Sequence, residues 1–160
     1  MSDIFSVNLE IRDTKTKRGR GIYSKVFFPA DQVILEFKGD IIGKDKIKDY
    51  MDVLQITESA YLGMSGEVDD YINHSCNPNC GLRIVGNRAL LVSLWSIKAD
   101  DEITFDFSTS SNDAKKEWEM NCLCGAAKCR KVISGYQYLE DATKEYYESR
   151  NVVPSYLIRK

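Results

Sequence analysis

No stretch of this 160-residue sequence approaches the ~20 consecutive apolar residues needed to cross a bilayer, and Met1 to Val7 lacks the basic start and long apolar run of a secretory leader. Neither a membrane-spanning nor a secreted protein is expected from it; an intracellular one is, cytoplasmic before nuclear. The chain also has no internal repeat, no low-complexity tract and no strong charge of either sign. Its 22 basic and 24 acidic residues leave a formal net charge of −2, with a pI near 5.5. That balance argues against holding nucleic acid by bulk electrostatics, so no direct nucleic-acid partner is expected. A slightly acidic surface suits a basic substrate such as a lysine-bearing tail. Length and an ordinary 43% hydrophobic share fit one domain with a core of its own. Five cysteines are an odd count, and in a reducing compartment they make no disulfide framework. Metal binding is the leading use for them.

What the chain does have is concentrated chemistry. Tyr71-Ile72-Asn73-His74-Ser75-Cys76-Asn77-Pro78-Asn79-Cys80 holds its only histidine, two cysteines and three asparagines around a proline. Such density disfavours a helix or central strand and reads either as a loop presenting polar groups to a ligand or as an idle turn. Farther on, Cys122-Leu123-Cys124-Gly125-Ala126-Ala127-Lys128-Cys129 is a Cys-x-Cys-x4-Cys cluster whose glycine lets the chain turn between ligands. A structural zinc closes a tetrahedron, so a fourth thiolate must come from Cys76 or Cys80. Closing the site with Cys76 fastens the C-terminal segment onto the Asn-His-Ser-Cys loop and leaves Cys80 as a small apolar residue. Such an ion contributes on the order of 10 kcal/mol to local folding, so the region after Ser111 should lose order without it.

Between these motifs the pattern is of short strands: Ile22-Tyr23, Gln32 to Phe37, Gly39 to Ile42, two segments flanking Gly86-Asn87, and Ile103 to Phe107. Ile47, Tyr50, Met51 and Leu54 at helical spacing predict a short helix over 44–54, and Glu140 to Ser149 predicts another that ends before Pro154. Residues 108–114, rich in Ser, Asn and Asp, read as a flexible connection. Lys15 to Arg18 reads as a solvated basic loop. The expected class is a mostly β domain with a compact irregular tail.

Asn73-His74-Ser75-Cys76-x-Pro78-Asn79, then Glu102-Ile103-Thr104-Phe105-Asp106-Phe107, then the Cys-x-Cys-x4-Cys cluster, resembles a SET domain followed by a post-SET zinc module. Gly19-Arg20-Gly21-Ile22 and Glu36-Phe37-Lys38-Gly39-Asp40 resemble the family's Gly-x-Gly and Glu-Tyr-x-Gly-Glu/Asp elements. In the family's order these motifs cover the chain up to Val132. The resemblance implies small β-sheets with a pseudoknot, and divides the chain into a SET domain over 1–111, a zinc module over 112–132 and a C-terminal helical tail over 133–160. It implies methyl transfer from S-adenosylmethionine to a protein lysine, a histone tail included, entering through a narrow channel. By motif, Arg20, Gly21 and Ile22 hold the methionine part of the cofactor, Asn73 and His74 contact its amino group and adenine, Tyr61 lies beside it, and Leu123 packs on the adenine. Cys76, Cys122, Cys124 and Cys129 are the implied zinc ligands.

The chain departs from this family where the channel should carry hydroxyls. Phe37 and Phe107 stand where tyrosines are usual, and Phe105 occupies the position that limits product, leaving room for more than one methyl group. Asp70 stands where arginine is common. Tyr61, Tyr136 or Tyr138 is a candidate for supplying a hydroxyl from another direction. Phe37, Tyr61, Phe105 and Phe107 are thus the expected channel residues of a lysine methyltransferase. The alternative is a weak or silent SET-type module that binds a lysine-bearing partner. A cysteine hydrolase built on His74 and Cys76 is disfavoured, because a metal-bound thiol is no free nucleophile. The sequence leaves substrate, methyl number and oligomeric state open.

Overall fold

The computed structural model describes residues 6–111 and 119–158. Strands β1 (Leu9–Asp13), β2 (Arg20–Ser24), β3 (Val33–Glu36), β4 (Ile41–Gly43), β5 (Val53–Gln55) and β6 (Ala60–Gly63) come first. They are followed by β7 (Asn73–His74), β8 (Cys80–Val85), β9 (Arg88–Ser93) and β10 (Glu102–Phe105). A two-stranded hairpin, β11 (Met120–Asn121) and β12 (Val132–Ile133), and two helices, α1 (Asp141–Ser149) and α2 (Ser155–Ile158), complete the described chain. The strands form sheets in the orders β1-β2-β10-β7, β3-β9-β8 and β4-β6-β5, besides the β11–β12 pair. This is the small-sheet, mostly β architecture expected.

Turn chemistry and burial explain the elements. The β1–β2 hairpin closes where Gly19 adopts a φ of 75°, a left-handed conformation that costs glycine little. The β8–β9 hairpin turns at Gly86-Asn87 with Gly86 at φ 61°. β9 lies between β3 and β8, and its residues from Ala89 to Ser93 are all buried. Ile22 and Ile103 face each other across β2 and β10 and are wholly buried, with Ile34, Leu82, Leu91 and Ile97 in the same core.

β10 decides the layout. It runs antiparallel to β2 and parallel to β7, pairing Thr104 with Asn73 and Phe105 with His74. The Asn-His-Ser-Cys loop and the Ile103–Phe107 segment thereby become neighbours, as the expected pseudoknot requires. Asn79 completes the grip: its amide donates to the Glu102 carbonyl at 2.8 Å and accepts from the Thr104 N–H at 3.0 Å. The second asparagine of the loop motif is therefore a piece of side-chain ladder holding β10.

Three local expectations differ from the fold. Residues 44–54 form no α-helix but two single 3-10 turns, Lys44–Lys46 and Tyr50–Asp52, before entering β5. Asp49 accepts from the Met51 N–H at 2.9 Å, and pairing Val53 to Gln55 against β6 gives the chain a ladder that outweighs a marginal three-turn helix. The strand expected to run through Phe107 stops at Phe105, because Asp106 caps a 3-10 turn, Phe107–Thr109, by accepting from the Ser108 N–H. That cap also removes the expected flexibility at Ser108 and Thr109, which are buried; residues 112–114 of that stretch lie outside the described residues. So does the 112–118 segment on which the 111/112 domain boundary falls.

The tail folds back on the body. Leu94 at the end of β9 packs with Tyr136, Leu139, Tyr147, Val152, Val153 and Leu157 in a second, smaller core. Helix α1 spans nearly the residues expected, with Glu140 at its N-cap.

Candidate active site and metal centre

Gly21 on β2 marks one half of the site. A side chain there would place its Cβ 2.6 Å from Glu102 Oε1 and 2.7 Å from Asn73 Nδ2, so only glycine fits. Asn73 donates through Nδ2 to the Arg20 carbonyl at 3.0 Å and to Glu102 Oε1 at 2.9 Å, which turns its amide oxygen away from this network. Arg18 grips both Glu102 oxygens at 2.8 and 2.7 Å. Its Nε is nevertheless buried with no hydrogen-bond partner among the described residues. A buried N–H without an acceptor is costly. Arg20 lies exposed, its guanidinium 4.4 Å from the Tyr71 ring centroid, with Nη2 donating to the Tyr71 hydroxyl at 3.0 Å. Ile22, expected at the cofactor, is wholly buried in the core, so its side chain packs while its backbone stays beside Gly21.

Through the β10–β7 pair this polar cradle joins an aromatic cavity of about 260 Å³ lined by Phe37, Tyr50, Tyr61, Phe105 and Phe107, with Asp69 and Asp70 also at its wall. The Phe37 and Phe105 ring centroids are 5.8 Å apart, Phe105 and Phe107 4.9 Å, and Tyr50 and Tyr61 6.1 Å. All four expected channel residues therefore come together. Tyr136 does not join them, since its hydroxyl donates to Glu148 on α1, and Tyr138 is largely exposed. Asp70, the departure noted above, accepts from the Ser65 and Gly66 N–H groups and shapes the loop before β7. Asp69 does likewise for the Lys38 N–H at 2.9 Å.

His74 is turned inward. Its Nδ1 accepts from the Phe107 N–H at 3.1 Å, so Nε2 carries the ring proton and points it at Cys76 Sγ, 3.3 Å away. Burial first, with Arg130 adding to it against the attraction of Asp106, pushes its pKa down to about 4. It is neutral at pH 7. Both ring nitrogens are committed inside the protein, so any contact with a cofactor falls to the backbone of His74.

The thiols converge around it. Ligand atoms of His74, Cys76, Cys122 and Cys124 lie within 4.8 Å of one another. Cys76 and Cys122 sulfurs are 3.7 Å apart, close to the ~3.8 Å edge of a tetrahedron with Zn–S bonds of about 2.3 Å. Cys129 reaches Cys122 and Cys124 within hydrogen-bonding range. Backbone N–H groups point at three of the sulfurs: Arg130 at Cys76 (3.4 Å), Lys131 at Cys129 (3.4 Å) and Ala126 at Cys124 (3.5 Å). Burial opposes charge on Cys124, yet the donors around it, the N–H groups of Cys76 and Ala126 among them, outweigh burial and lower its pKa to about 7. It is the thiol readiest to meet a metal. The convergent group holds His74 and not Cys129, although Cys129 lies beside Cys122 and Cys124. The Cys122 N–H donates to the Lys131 carbonyl at 2.7 Å and, with the β11–β12 pair, folds the cluster into a knuckle. Leu123, between two of the thiols, is 53% exposed, and Cys80 is wholly buried away from them.

Asp106 ties these parts together. It is 1% exposed and accepts two bonds from Arg130, at 2.9 and 2.7 Å, and one from the Tyr147 hydroxyl at 3.0 Å. Arg18, Glu102, Arg130, Tyr147 and Tyr50 were not singled out from the sequence. The partners of the first four lie 24 or more residues away, and no local spacing announces them.

A family model described as "SET domain" matches residues 19–108, more than half of the chain. The chain belongs to the SET-domain family. Among curated relatives, a histone-lysine N-methyltransferase, H3 lysine-4 specific, from Emericella nidulans is 26% identical over 136 residues, covering 71% of this chain and 11% of that protein. Histone-lysine N-methyltransferase 2B of Homo sapiens is 28% identical over 132 residues, covering 72% of this chain and 5% of its own length. The SET chain described here thus spans a small part of these relatives. A crystal structure of KRYPTONITE in complex with mCHG DNA and SAH matches with a TM-score of 0.66 and 25% identity, over 79% of this chain and 29% of that one. Among the described residues no helix is long and apolar enough to cross a membrane.

Proposed function

We propose that this SET domain transfers a methyl group from S-adenosylmethionine to the side-chain amine of a protein lysine. The observation that carries the reading is the junction itself: a polar cradle at Gly21, Asn73, Glu102 and Arg18 joined through β10 and β7 to an aromatic cavity. Bound in the cradle, the cofactor supplies a methyl group on a sulfonium centre, and its SAH counterpart in KRYPTONITE agrees with that use. The Asn73 oxygen would accept from its amine, and the backbone of Arg20, Gly21, Ile22 and His74 would line it. Tyr61, in the cavity wall, and exposed Leu123 would cover it.

The cavity residues do the rest. A lysine at neutral pH is protonated and cannot attack. The rings of Phe37, Phe105, Phe107 and Tyr61 exclude water and so disfavour the charged amine, while their faces hold the methylated cationic product. Asp69 and Asp70 at the wall attract the incoming cation. Holding the amine in line with the methyl group then contributes much of the rate without a strong base. Cys76, Cys122, Cys124 and Cys129 would hold a structural zinc that fixes the segment carrying Leu123. A histone lysine is the substrate the relatives suggest; such a substrate would place the chain in the nucleus, and the cytoplasmic expectation draws no support from them.

The missing hydroxyls of Phe37 and Phe107 favour a second reading, a silent module that only binds lysine. Incubating zinc-loaded protein with labelled cofactor and a pool of lysine-rich proteins, histones included, separates the two. Label on lysine supports the enzyme. Measurable cofactor binding with no label from any pool rejects it.

A further inference from the structure

Burial grades sharply along the aromatic cavity. Phe105 and Tyr61 in its wall are 4% and 5% exposed, whereas Met51 and Met64 in the same wall are 45% and 60% exposed and so mark its mouth. The β5–β6 pair ends with Val53 opposite Gly63. The next residues along, Asp52 and Met64, lie across from each other at the opening, and both line the cavity. Asp52 is exposed, and among the described residues no hydrogen bond or ion pair reaches its carboxylate. The other two carboxylates of the wall are committed: Asp69 accepts from the Lys38 N–H and the Ser65 hydroxyl, and Asp70 from the Ser65 and Gly66 N–H groups. Lys38, also at the lining, leans on Glu36 at 3.5 Å.

The mouth is therefore an apolar pair of methionines beside a free carboxylate. A lysine held among the rings must give up its charge to react, so it cannot answer the charge left at the opening. A second basic side chain matches both parts, because its methylenes lie along apolar surface while its charged head stays in water, and methionine adapts to the shape laid against it. Resting on the methyl-transfer reading for the lysine in the cavity, we propose that Asp52 recognises a second basic residue of the substrate, an arginine or lysine within a few positions of the target, whose stem lies along Met51 and Met64. That residue keeps its charge throughout, so its attraction does not oppose the chemistry. The substrate class is then a basic segment with paired cations, not an isolated lysine.

The test uses zinc-loaded full chain with S-adenosylhomocysteine and heptapeptide amides of one central lysine among alanines, in which arginine, glutamine or glutamate is moved through the other positions. Dissociation constants are read by calorimetry. At one position or more arginine should bind about fivefold tighter than glutamine, the upper worth of a partly exposed ion pair, and added salt should shrink that gap. Asp52→Asn should close it, and Asp52→Lys should turn the preference to glutamate. The thermal midpoint should not move, because this carboxylate holds nothing in the fold. A wild type that binds all the peptides alike, or none, overturns the proposal, as does an arginine preference that survives Asp52→Lys. Met51→Ser should cost the arginine peptide more than its alanine parent; equal losses remove the methionine from the site. Labelled methyl transfer is measured in parallel. Transfer that ignores the neighbouring residue rejects the role of Asp52 and leaves the enzyme standing. An Asp52-dependent preference without any transfer keeps the recognition and rejects the enzyme.

Discussion

In the sheets, Ile22, Ile34, Leu82, Leu91, Ile97 and Ile103 share one wholly apolar core, whereas the segment from 119 onward meets the body through a few polar points and one small cluster. Those points include the Cys76 sulfur, the Asp106 carboxylate, the Arg83 guanidinium and the carbonyls of Gln55 and Ser110, and the cluster gathers on Leu94. Apolar packing is spread over many contacts and degrades gradually when one is lost. Bonds to a buried charge or a metal are few, so the loss of any one is felt at once. The proposed metal site draws ligands from each region, Cys76 from the first and Cys122 and Cys124 from the second.

The sharpest way to break this contrast is to remove the metal or change Cys124→Ser. On the order of 10 kcal/mol of local folding free energy should go, and proteolysis or hydrogen exchange should report opening of residues 119–133 while β1–β10 keep their protection. Loss of protection throughout would mean that the two regions are one cooperative unit. The next largest effect is expected at Asp106. In Asp106→Ala the Arg130 guanidinium, 25% exposed, and the Tyr147 hydroxyl lose their shared acceptor, and breaking a buried pair in this way costs about 3–5 kcal/mol. Chemical denaturation should show it, together with release of α1. A change confined within 1 kcal/mol would show that the second core alone docks the tail.

Gly81→Ala probes the apolar contact between the regions. The added methyl would stand 2.6–2.8 Å from three Val152 side-chain atoms, and overpacking of that kind costs about 1–3 kcal/mol. Val152→Ala in the same chain removes the two methyl contacts but keeps Cβ at 2.6 Å, so it should recover only part of the loss. A double variant no more stable than Gly81→Ala would place the strain elsewhere.

How much of this could be read beforehand follows the same divide. Strand pairs joined by glycine turns, such as β8 and β9 around Gly86, are local and were legible. So were the ligand-type residues, because Cys122, Cys124 and Cys129 keep their spacing in any fold. The 44–54 helix failed because a strand partner at Tyr61 and Leu62 is invisible to helical periodicity. Arg18 with Glu102, Asp106 with Arg130 and Tyr156 with Ser110 join residues 84, 24 and 46 apart, and a single sequence carries no sign of such pairings. The SET resemblance supplied the order of the motifs but not the tail, whose docking on Leu94 and Asp106 is a product of packing.

Phe107 gives the finest test, because its ring lines the cavity while its N–H is held by the loop that carries Cys76. Its N–H is held by His74 at 3.1 Å and its ring stands 5.4 Å from the imidazole and 4.9 Å from Phe105. Phe107→Tyr adds a hydroxyl to the cavity with little cost in stability, and one added hydrogen bond of about 1 kcal/mol should raise methyl transfer by up to roughly tenfold. A rate that falls or stays unchanged would show that the cavity gains nothing from a hydroxyl at this position.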